Sequence, residues 1–333
     1  MKMLLLPLGV VVFGLLNLMI GSVPIPLDEV TRILFGQGSE NEVYANIVLN
    51  TRLPQTLTAI ACGAGLSVAG LEMQTVFQNP LAGPSVLGVS SAASLGVAFV
   101  VLLSGVIGSS VLSRFGVVGN AALTLAAIAG ALLAMTLIVW LSQRVKGRAT
   151  LLIVGVLIGY IASAIIGVLK YFSNEEDIRA YVIWGLGSFS RVTGGQVYVF
   201  VGLMTLFCPL SMLLAKPLNT LLLGERYAAN LGINIRRTRM LIIGSAGILT
   251  AITTAYCGPI MFLGLAVPHI CRGLFATADH RVLLPSTLFT GAVLALVCNL
   301  IARLPGMEGA LPINSVTALI GAPVALTILL HRK

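Results

Sequence analysis

Residues 216–239 read KPLNTLLLGERYAANLGINIRRTR and lie between two long apolar stretches of the chain. Pro217 can occupy the first turn of a helix, and Gly224 and Gly232 interrupt the run. The segment carries one acid, Glu225, and five basic residues: Lys216, Arg226, Arg236, Arg237 and Arg239. The pattern predicts two short helices, broken at Gly224, that lie on a membrane surface rather than cross it.

These two short helices are also expected to be amphipathic. Leu218, Leu221 and Leu222 recur at i, i+3 and i+4, and the second helix repeats the spacing with its own set: Ala228, Leu231 and Ile235. Such a pair, held at a membrane face, could pass force to a soluble partner. An ordinary basic loop remains the alternative.

The composition is that of a polytopic membrane protein. Of the 333 residues, 57% are hydrophobic and 9% are charged, and the mean hydropathy is +1.02. A soluble domain carries about 25% charged residues. The first apolar run lacks an A-x-A cleavage site, so we do not expect a cleaved signal peptide. The net charge of +9 is explained by membrane topology and needs no nucleic acid partner.

The hydropathy pattern predicts an all-α chain with ten transmembrane helices in a single membrane domain over residues 1–333. The apolar runs are about 17–22 residues long, which suits helices that span a bilayer. The predicted spans are 3–21, 56–75, 86–105, 119–141, 149–170, 194–215, 240–256, 258–274, 282–301 and 312–330. The seventh and eighth are joined so closely that we expect them to be less regular.

The charge distribution predicts the orientation. With a cytoplasmic N-terminus, most Lys and Arg residues fall on the cytoplasmic side, and most acids fall outside, as the positive-inside rule requires. Both termini and residues 216–239 are then cytoplasmic. The long outer segments 22–55 and 171–193 could fold into short helices that meet an extracytoplasmic partner.

Small residues mark two of the spans. Gly155, Gly159, Ser163 and Gly167 recur every four residues along the fifth span. The second span has a less regular set of Gly63, Gly65, Ser67 and Gly70. A face without bulk permits close helix packing or lines a passage. Both interpretations stay open for the fifth span.

The sequence carries little catalytic chemistry. It has no GxxxxGK[ST], G-x-S-x-G or HExxH motif. His269 lacks a second ligand, so we expect a structural histidine and no metal site. Glu72 and Lys170 are the only ionisable candidates for an ion relay within the spans. The five cysteines form no CxxC pair and are expected to be buried and unpaired.

Seven motifs, taken in order, resemble the permease subunits of type II ABC importers, the FecCD/BtuC-like family that takes up vitamin B12, ferric siderophores and haem. They are RLP (52–54), NPLAGP (79–84) with LGVSSAA (87–93), WGLGS (184–188), LLLGERYAANLG (221–232), GPIMFLGLAVPHICR (258–272), DHR (279–281) with LLP (283–285), and LPINSVTALIGAP (311–323). The resemblance runs from about residue 50 to the C-terminus. It implies a ten-helix BtuC-like fold.

The resemblance also implies where this chain meets its partner ATPase and where its gate lies. In the family the ATPase is received between spans six and seven, and the matching coupling positions are Gly224, Glu225, Ala228, Leu231 and Gly232. The cytoplasmic gate maps onto two pairs of positions: Asn79 and Leu81, and Gly147 and Arg148. The second pair departs from the small hydroxyl residues of the vitamin B12 member.

The translocation pathway and the docking of a binding protein follow from the same resemblance. In relatives the fifth span lines the pathway, which favours that function for Gly155, Gly159, Ser163 and Gly167. Arg52 and Arg303 match positions that dock the binding protein, and Gln55 replaces a further arginine. Arginines near span ends also snorkel to the interface without a partner.

The function implied is that of the permease subunit, without enzymatic activity of its own, of an ATP-driven importer for a bulky metal chelate in the bacterial inner membrane. Ferric siderophore is the first expectation, with cobalamin and haem as alternatives. The expected partners are a second permease copy in a homodimer, two ATPases that bind ATP and Mg, a substrate-binding protein and the bilayer. No cofactor is expected in this chain. A secondary transporter or channel and an intramembrane enzyme are the alternatives of other classes.

Overall fold

A computed structural model of the chain describes residues 2–39, 41–106, 116–144, 148–304 and 310–330, and these residues are mostly helical. In chain order the helices are α1 (Lys2–Met19), α2 (Leu27–Leu34), α3 (Glu42–Ile47), α4 (Leu53–Phe77), α5 (Val89–Val106), α6 (Gly116–Arg144), α7 (Arg148–Phe172), α8 (Glu175–Gly185), α9 (Gly195–Met212), α10 (Ala215–Leu222), α11 (Glu225–Asn230), α12 (Ile235–Cys257), α13 (Leu263–Phe275), α14 (His280–Ala302) and α15 (Ile313–Leu330).

The ten predicted spans correspond in order to α1, α4, α5, α6, α7, α9, α12, α13, α14 and α15. Among the described residues, six helices are long and apolar enough to cross a membrane by length and composition alone. The other four, α1, α5, α13 and α15, contain shorter apolar stretches. The prediction of an all-α polytopic chain is confirmed.

Helix α4 is the centre of the fold. Every residue from Ala61 to Phe77 is buried, and α14, α12, α13 and α9 surround the helix. This central position explains why α4 lacks a polar face: all of its sides contact other helices. A five-residue π-helix, Val48–Arg52, leads into α4 from α3.

The small residues of α4 serve close packing. A Cβ atom on Gly63 would overlap the carbonyl of Gly291 on α14, and one on Gly70 would overlap the carbonyl of Gly264 on α13. A Cβ atom on Gly65 would lie 2.8 Å from the terminal methyl carbon of Met204 on α9. Backbones that approach so closely need glycine at the contact.

The two segments expected to lie outside contain the predicted short helices: α2 and α3 lie in 22–55, and α8 lies in 171–193. Leu18, Ile25, Val30, Ile33 and Val48 form a separate small core beneath α2. Asn174 caps α8 by accepting a hydrogen bond from the backbone N–H of Asp177, in the acidic first turn. Burial, with a smaller effect of neighbouring Glu176, raises the pKa of Asp177.

Two connections interrupt the helices. Residues 78–88 turn back between α4 and α5, and Gly258–Phe262 separates α12 from α13. The 13 residues of α13 extend only about 20 Å, which is less than the roughly 30 Å of a bilayer core. The expected irregularity is confirmed for the eighth span, α13, but not for the seventh, because α12 is a continuous helix of 23 residues.

Candidate functional site

Helices α10 and α11 form the predicted short pair on the side of the molecule where α9 ends and α12 begins. Gly224 has φ +96° and separates the two helices, and Gly232 has φ +80° after the second. Residues with a Cβ rarely adopt such angles. With eight and six residues, neither helix can cross a bilayer, as expected.

The apolar residues of this pair divide into two sets. Leu218, Leu221 and Ala228 are buried against the rest of the chain. Leu222, Leu223, Tyr227 and Leu231 are between 42% and 61% exposed. Each of the two predicted amphipathic sets is therefore divided: Leu222 of the first and Leu231 of the second are exposed, whereas the other leucines of the first set and Ala228 are buried.

A polar chain fixes α10 to the membrane helices. The side-chain oxygen of Asn219 accepts a hydrogen bond from the backbone N–H of His280 at 2.8 Å and lies 2.8 Å from its Nδ1. The Nε2 of His280 lies 2.8 Å from the hydroxyl of Thr75 on α4. Gln78, which follows α4, donates to the carbonyl of Leu221 at 3.1 Å. These contacts join α10 to both α14 and α4.

Asp279 completes this attachment. Its carboxylate accepts hydrogen bonds from the backbone N–H of Arg281 and from the side-chain N–H of Asn219, and it caps α14. These bonds, the backbone one first, lower the pKa of Asp279. Sequence reasoning singled out none of Asn219, Thr75 or His280 as functional. The signal available was the motif DHR, in which Asp279 is a helix cap.

Helix α11 is attached through an ion pair. Glu225, in its first turn, pairs with Arg239 on α12. The Arg239 side chain is 12% exposed and that of Glu225 33% exposed, so the pair is partly shielded from solvent. Glu225, expected to contact the ATPase, thus also holds α11 against α12.

The loop after α4 contains half of the expected cytoplasmic gate. Gln78 adopts a left-handed conformation, φ +49°, and reverses the chain. The side-chain oxygen of Asn79 then accepts a hydrogen bond from the backbone N–H of Leu81 at 3.0 Å. Leu81 lines a cavity of about 210 Å³ together with Met261 and Phe262. Gly147 lies outside the described residues, and the side chain of Arg148, which begins α7, is not described either.

The row of small residues on α7 has two different environments. Gly155 is buried, and its carbonyl would lie 2.6 Å from a Cβ on Gly88. Gly159 faces Ser91 of α5. Ser163 and Gly167, farther along, are exposed, and no atom lies within 4 Å of a Cβ placed on Gly167. The first half of the row packs helices, and only the second half is open.

The break between α12 and α13 has a strained backbone. Phe262 has φ +69°, an unusual value for a bulky residue, and its Cβ packs directly on Gly321 of α15. The backbone N–H of Met261 donates to the side-chain oxygen of Asn314 at 3.1 Å. The break also lies near the middle of α4, because a Cβ on Gly264 would stand 2.6 Å from the carbonyl of Leu66. Broken helices at this depth are typical of transporter pathways.

The two arginines expected to dock a binding protein are engaged within the chain. Arg52 is 3% exposed, and its guanidinium donates to the carbonyls of Leu18, Met19 and Val23. In this conformation it is not available at the surface, so its docking role stays a prediction that would need rearrangement. The structure gives it a role in joining α1 and the following turn to α4.

Arg303 belongs to a network of amide side chains. It donates to the Gln55 side chain at 2.7 Å and to the carbonyl of Asn17 at 3.0 Å. Asn299 links the same two residues, donating to Asn17 and accepting from Gln55. Burial, more than the nearby charge of Arg52, lowers the pKa of Arg303 to about 10. The guanidinium of Arg303 remains protonated at neutral pH and is partly exposed, and its docking role stays a prediction.

The ionisable candidates for an ion relay and the cysteines make contacts that fit a role in the fold. Glu72 is fully buried and accepts a hydrogen bond from Ser245 at 2.8 Å. Lys170 lies over the ring of Tyr181. All five cysteines are buried and free, as expected. Among the described residues, no group of three or more His, Cys, Asp or Glu side chains is arranged to hold a metal ion.

Comparison with known proteins identifies the family. The profile of the FecCD transport family matches residues 9–331. The chain is 38% identical over 282 residues to the vitamin B12 import system permease protein BtuC of Klebsiella pneumoniae, covering 85% of this chain and 82% of that protein. It is 38% identical over 283 residues to BtuC of Escherichia coli O6:H1, covering 85% and 83%.

Solved structures give the same result. An inward-facing metal-chelate type ABC transporter is 28% identical, with a TM-score of 0.85 and coverage of 100% of this chain and 99% of that one. PsaBC from Streptococcus pneumoniae is 17% identical with a TM-score of 0.53, a likeness of fold alone. The described residues include ten apolar helices, and the chain is a multi-pass inner-membrane permease subunit of an ABC importer that belongs to the FecCD transport family.

Proposed function

We propose that this chain forms the membrane pathway for a bulky metal chelate and that a separate ATPase drives transport through α10 and α11. The importer class rests on the family. The cargo is proposed from the names of the relatives, which favour cobalamin, and from the metal-chelate transporter of the same fold. A ferric siderophore and haem are the other chelates to test.

The observation that carries the proposal is the construction of the α10–α11 pair. Its buried side is fixed to α4, α14 and α12 by Gln78, Asn219, His280 and the Glu225–Arg239 pair. Its other side leaves Leu223, Tyr227 and other apolar side chains exposed. A rigid element with an uncovered apolar face suits the transfer of motion from a soluble partner.

The orientation of the chain in the membrane is part of this proposal. With both termini cytoplasmic, the basic residues around α10 and α11 lie inside, where an ATPase operates, and the acidic first turn of α8 lies outside. A substrate-binding protein would then meet α2, α3, α8 and the end of α14. ATP and Mg would be bound by the ATPase, and this chain needs no cofactor.

A second copy of the chain would complete the pathway. The outer half of α7 is uncovered at Ser163 and Gly167, while large apolar side chains such as Tyr160, Ile161 and Val168 flank it. A homodimer that brings two such faces together would enclose a passage with apolar walls, widened at Ser163 and Gly167. Such walls suit a pathway that must release a large chelate rather than hold it.

The test is reconstitution with the partner proteins. The chain is co-purified with its ATPase, placed in liposomes, and supplied with the substrate-binding protein and, in parallel, cobalamin, haem or a ferric siderophore. ATP-dependent uptake of one chelate supports the proposal and identifies the cargo. Uptake that proceeds without the ATPase and follows an ion gradient would contradict it and favour a secondary transporter.

A further inference from the structure

A groove of about 330 Å³ lies between the beginning of α10 and the beginning of α12. Its lining combines charged and apolar side chains: Lys216, Pro217, Ile233, Asn234, Arg237, Thr238 and Leu241. We propose that this groove binds the headgroup of an anionic phospholipid, with Lys216 and Arg237 on the phosphate and the acyl chains along Leu241.

The charges of the groove are not neutralised by the protein. Lys216 and Arg237 are both exposed, and within the described part of the chain neither side chain makes an ion pair or a hydrogen bond. Two acids on neighbouring elements are engaged elsewhere: Glu225 of α11 pairs with Arg239, and Asp279 accepts from Asn219 of α10. Two like charges on one groove repel each other, and a bound anion would remove that repulsion.

The apolar residues place the groove at the edge of the bilayer. On α12, Leu241 follows Arg237 by four residues and therefore lies on the same face of the helix, one turn further into the apolar segment. Leu213, just after the end of α9, is 77% exposed and precedes Lys216 by three residues. Arg237 thus precedes Leu241 at the start of α12, and Lys216 follows Leu213 after the end of α9. In both places the cation lies beyond the apolar segment, which matches the boundary between acyl chains and headgroups.

A lipid in the groove would contact α10, which we propose moves with the ATPase. Lys216 belongs to α10, and Arg237 belongs to α12, which also carries Arg239, the partner of Glu225 on α11. A phosphate held by both cations would join the start of α10 to the start of α12. It would thereby oppose displacement of α10 relative to α12.

The test measures lipid binding by the full chain in detergent, without an ATPase. Native mass spectrometry follows adducts with dioleoyl phosphatidylglycerol and, separately, with dioleoyl phosphatidylcholine. Wild type is expected to bind phosphatidylglycerol in preference. Lys216→Gln and Arg237→Gln are each expected to weaken that binding about fivefold, the effect of one cation near an anionic surface.

Controls separate the groove from the general basic charge. Arg226→Gln removes an exposed cation of α11 outside the groove and is expected to leave phosphatidylglycerol binding unchanged, while Lys216→Arg retains it. Melting temperatures of the lipid-free variants should match wild type. If one of the two groove variants fails to fold, lipid binding by the other still tests the proposal. Equal phosphatidylglycerol binding by wild type and groove variants would overturn the proposal. So would groove variants that lose ATPase affinity but bind the lipid normally. The measurement needs no transport, so it stands apart from the proposed function.

Discussion

The side-chain oxygen of Asn219 lies 2.8 Å from both the backbone nitrogen and the Nδ1 of His280. Through these contacts a helix of only eight residues, α10, is joined to the first turn of α14. The ring of His280 continues the connection to Thr75 of α4. Because the amide oxygen of Asn219 can only accept, the Nδ1 of His280 carries the proton in this arrangement.

Asn219→Leu should uncouple ATP hydrolysis from transport. The change removes hydrogen bonds that contribute about 1 kcal/mol each and leaves α10 free to move without α14. We expect continued hydrolysis by the reconstituted complex with a large fall in chelate imported per ATP. Asn230→Leu, the same change at an exposed position of α11, is the matched control. Equal coupling in both variants would refute the transmission role of Asn219.

Glu225→Arg should also uncouple transport, because it places two positive charges where Glu225 and Arg239 now form an ion pair. The fold should remain intact, since the Glu225 side chain is 33% exposed and lies on a short helix outside the spans. Adding Arg239→Glu reverses both charges and should recover uptake in part. If the double variant is no better than Glu225→Arg, Glu225 acts mainly through direct contact with the ATPase rather than by holding α11.

Gly70→Val should prevent stable folding. A side chain at this position would enter the backbone of α13 at Gly264, and overpacking of a tight contact costs about 1–3 kcal/mol or more. Thermal unfolding in detergent, or the yield of folded protein, measures the effect. Gly202→Val on α9, where no atom lies within 4 Å of the added Cβ, should be tolerated. Similar stability of the two variants would contradict the packing described for α4.

Gly167→Trp tests the open half of α7. The single chain has room for the side chain, so melting temperature should change little. Uptake should fall strongly if this face lines the pathway of the dimer. Gly202→Trp introduces the same bulk at another open position and should leave uptake near wild type. Normal uptake by Gly167→Trp would show that the open half of α7 does not line the pathway.

Arg52→Ala should lower stability more than it lowers docking of the binding protein. The substitution removes the donor to the carbonyls of Leu18 and Val23, while the carbonyl of Met19 still accepts from the backbone N–H of Ile25. A buried unsatisfied group costs about 1–3 kcal/mol. Unfolding temperature and binding-protein affinity are measured on the same preparation. A stable variant with weakened docking would show that Arg52 reaches the surface in another conformation and would restore its docking role.

The sequence predicts those features that depend on local pattern. Long apolar runs identify the ten helices, and Gly224 locates the break between α10 and α11, because a positive φ at that point needs glycine. The regular spacing of small residues on α7 is visible in the sequence. Its division into a packed half and an open half is not, because it depends on Gly88 and Ser91, far away in the chain.

The contacts that join distant helices could not be predicted. Asn219 and His280 are 61 residues apart, and nothing in either local sequence indicates the other. Arg52 illustrates the same point: a charged residue before a span suggests a surface position, yet carbonyls at the end of α1 surround it. Burial of polar groups is decided by tertiary packing, which the sequence pattern does not reveal.

The central claim is that an ATPase drives this permease through α10 and α11. The most direct test is chelate uptake into proteoliposomes that contain the permease and its ATPase, compared between wild type and Asn219→Leu at equal rates of ATP hydrolysis. The account predicts ATP-dependent uptake by wild type and little uptake by the variant. Equal uptake per ATP in both, or uptake by wild type that needs an ion gradient and no ATP, would contradict it.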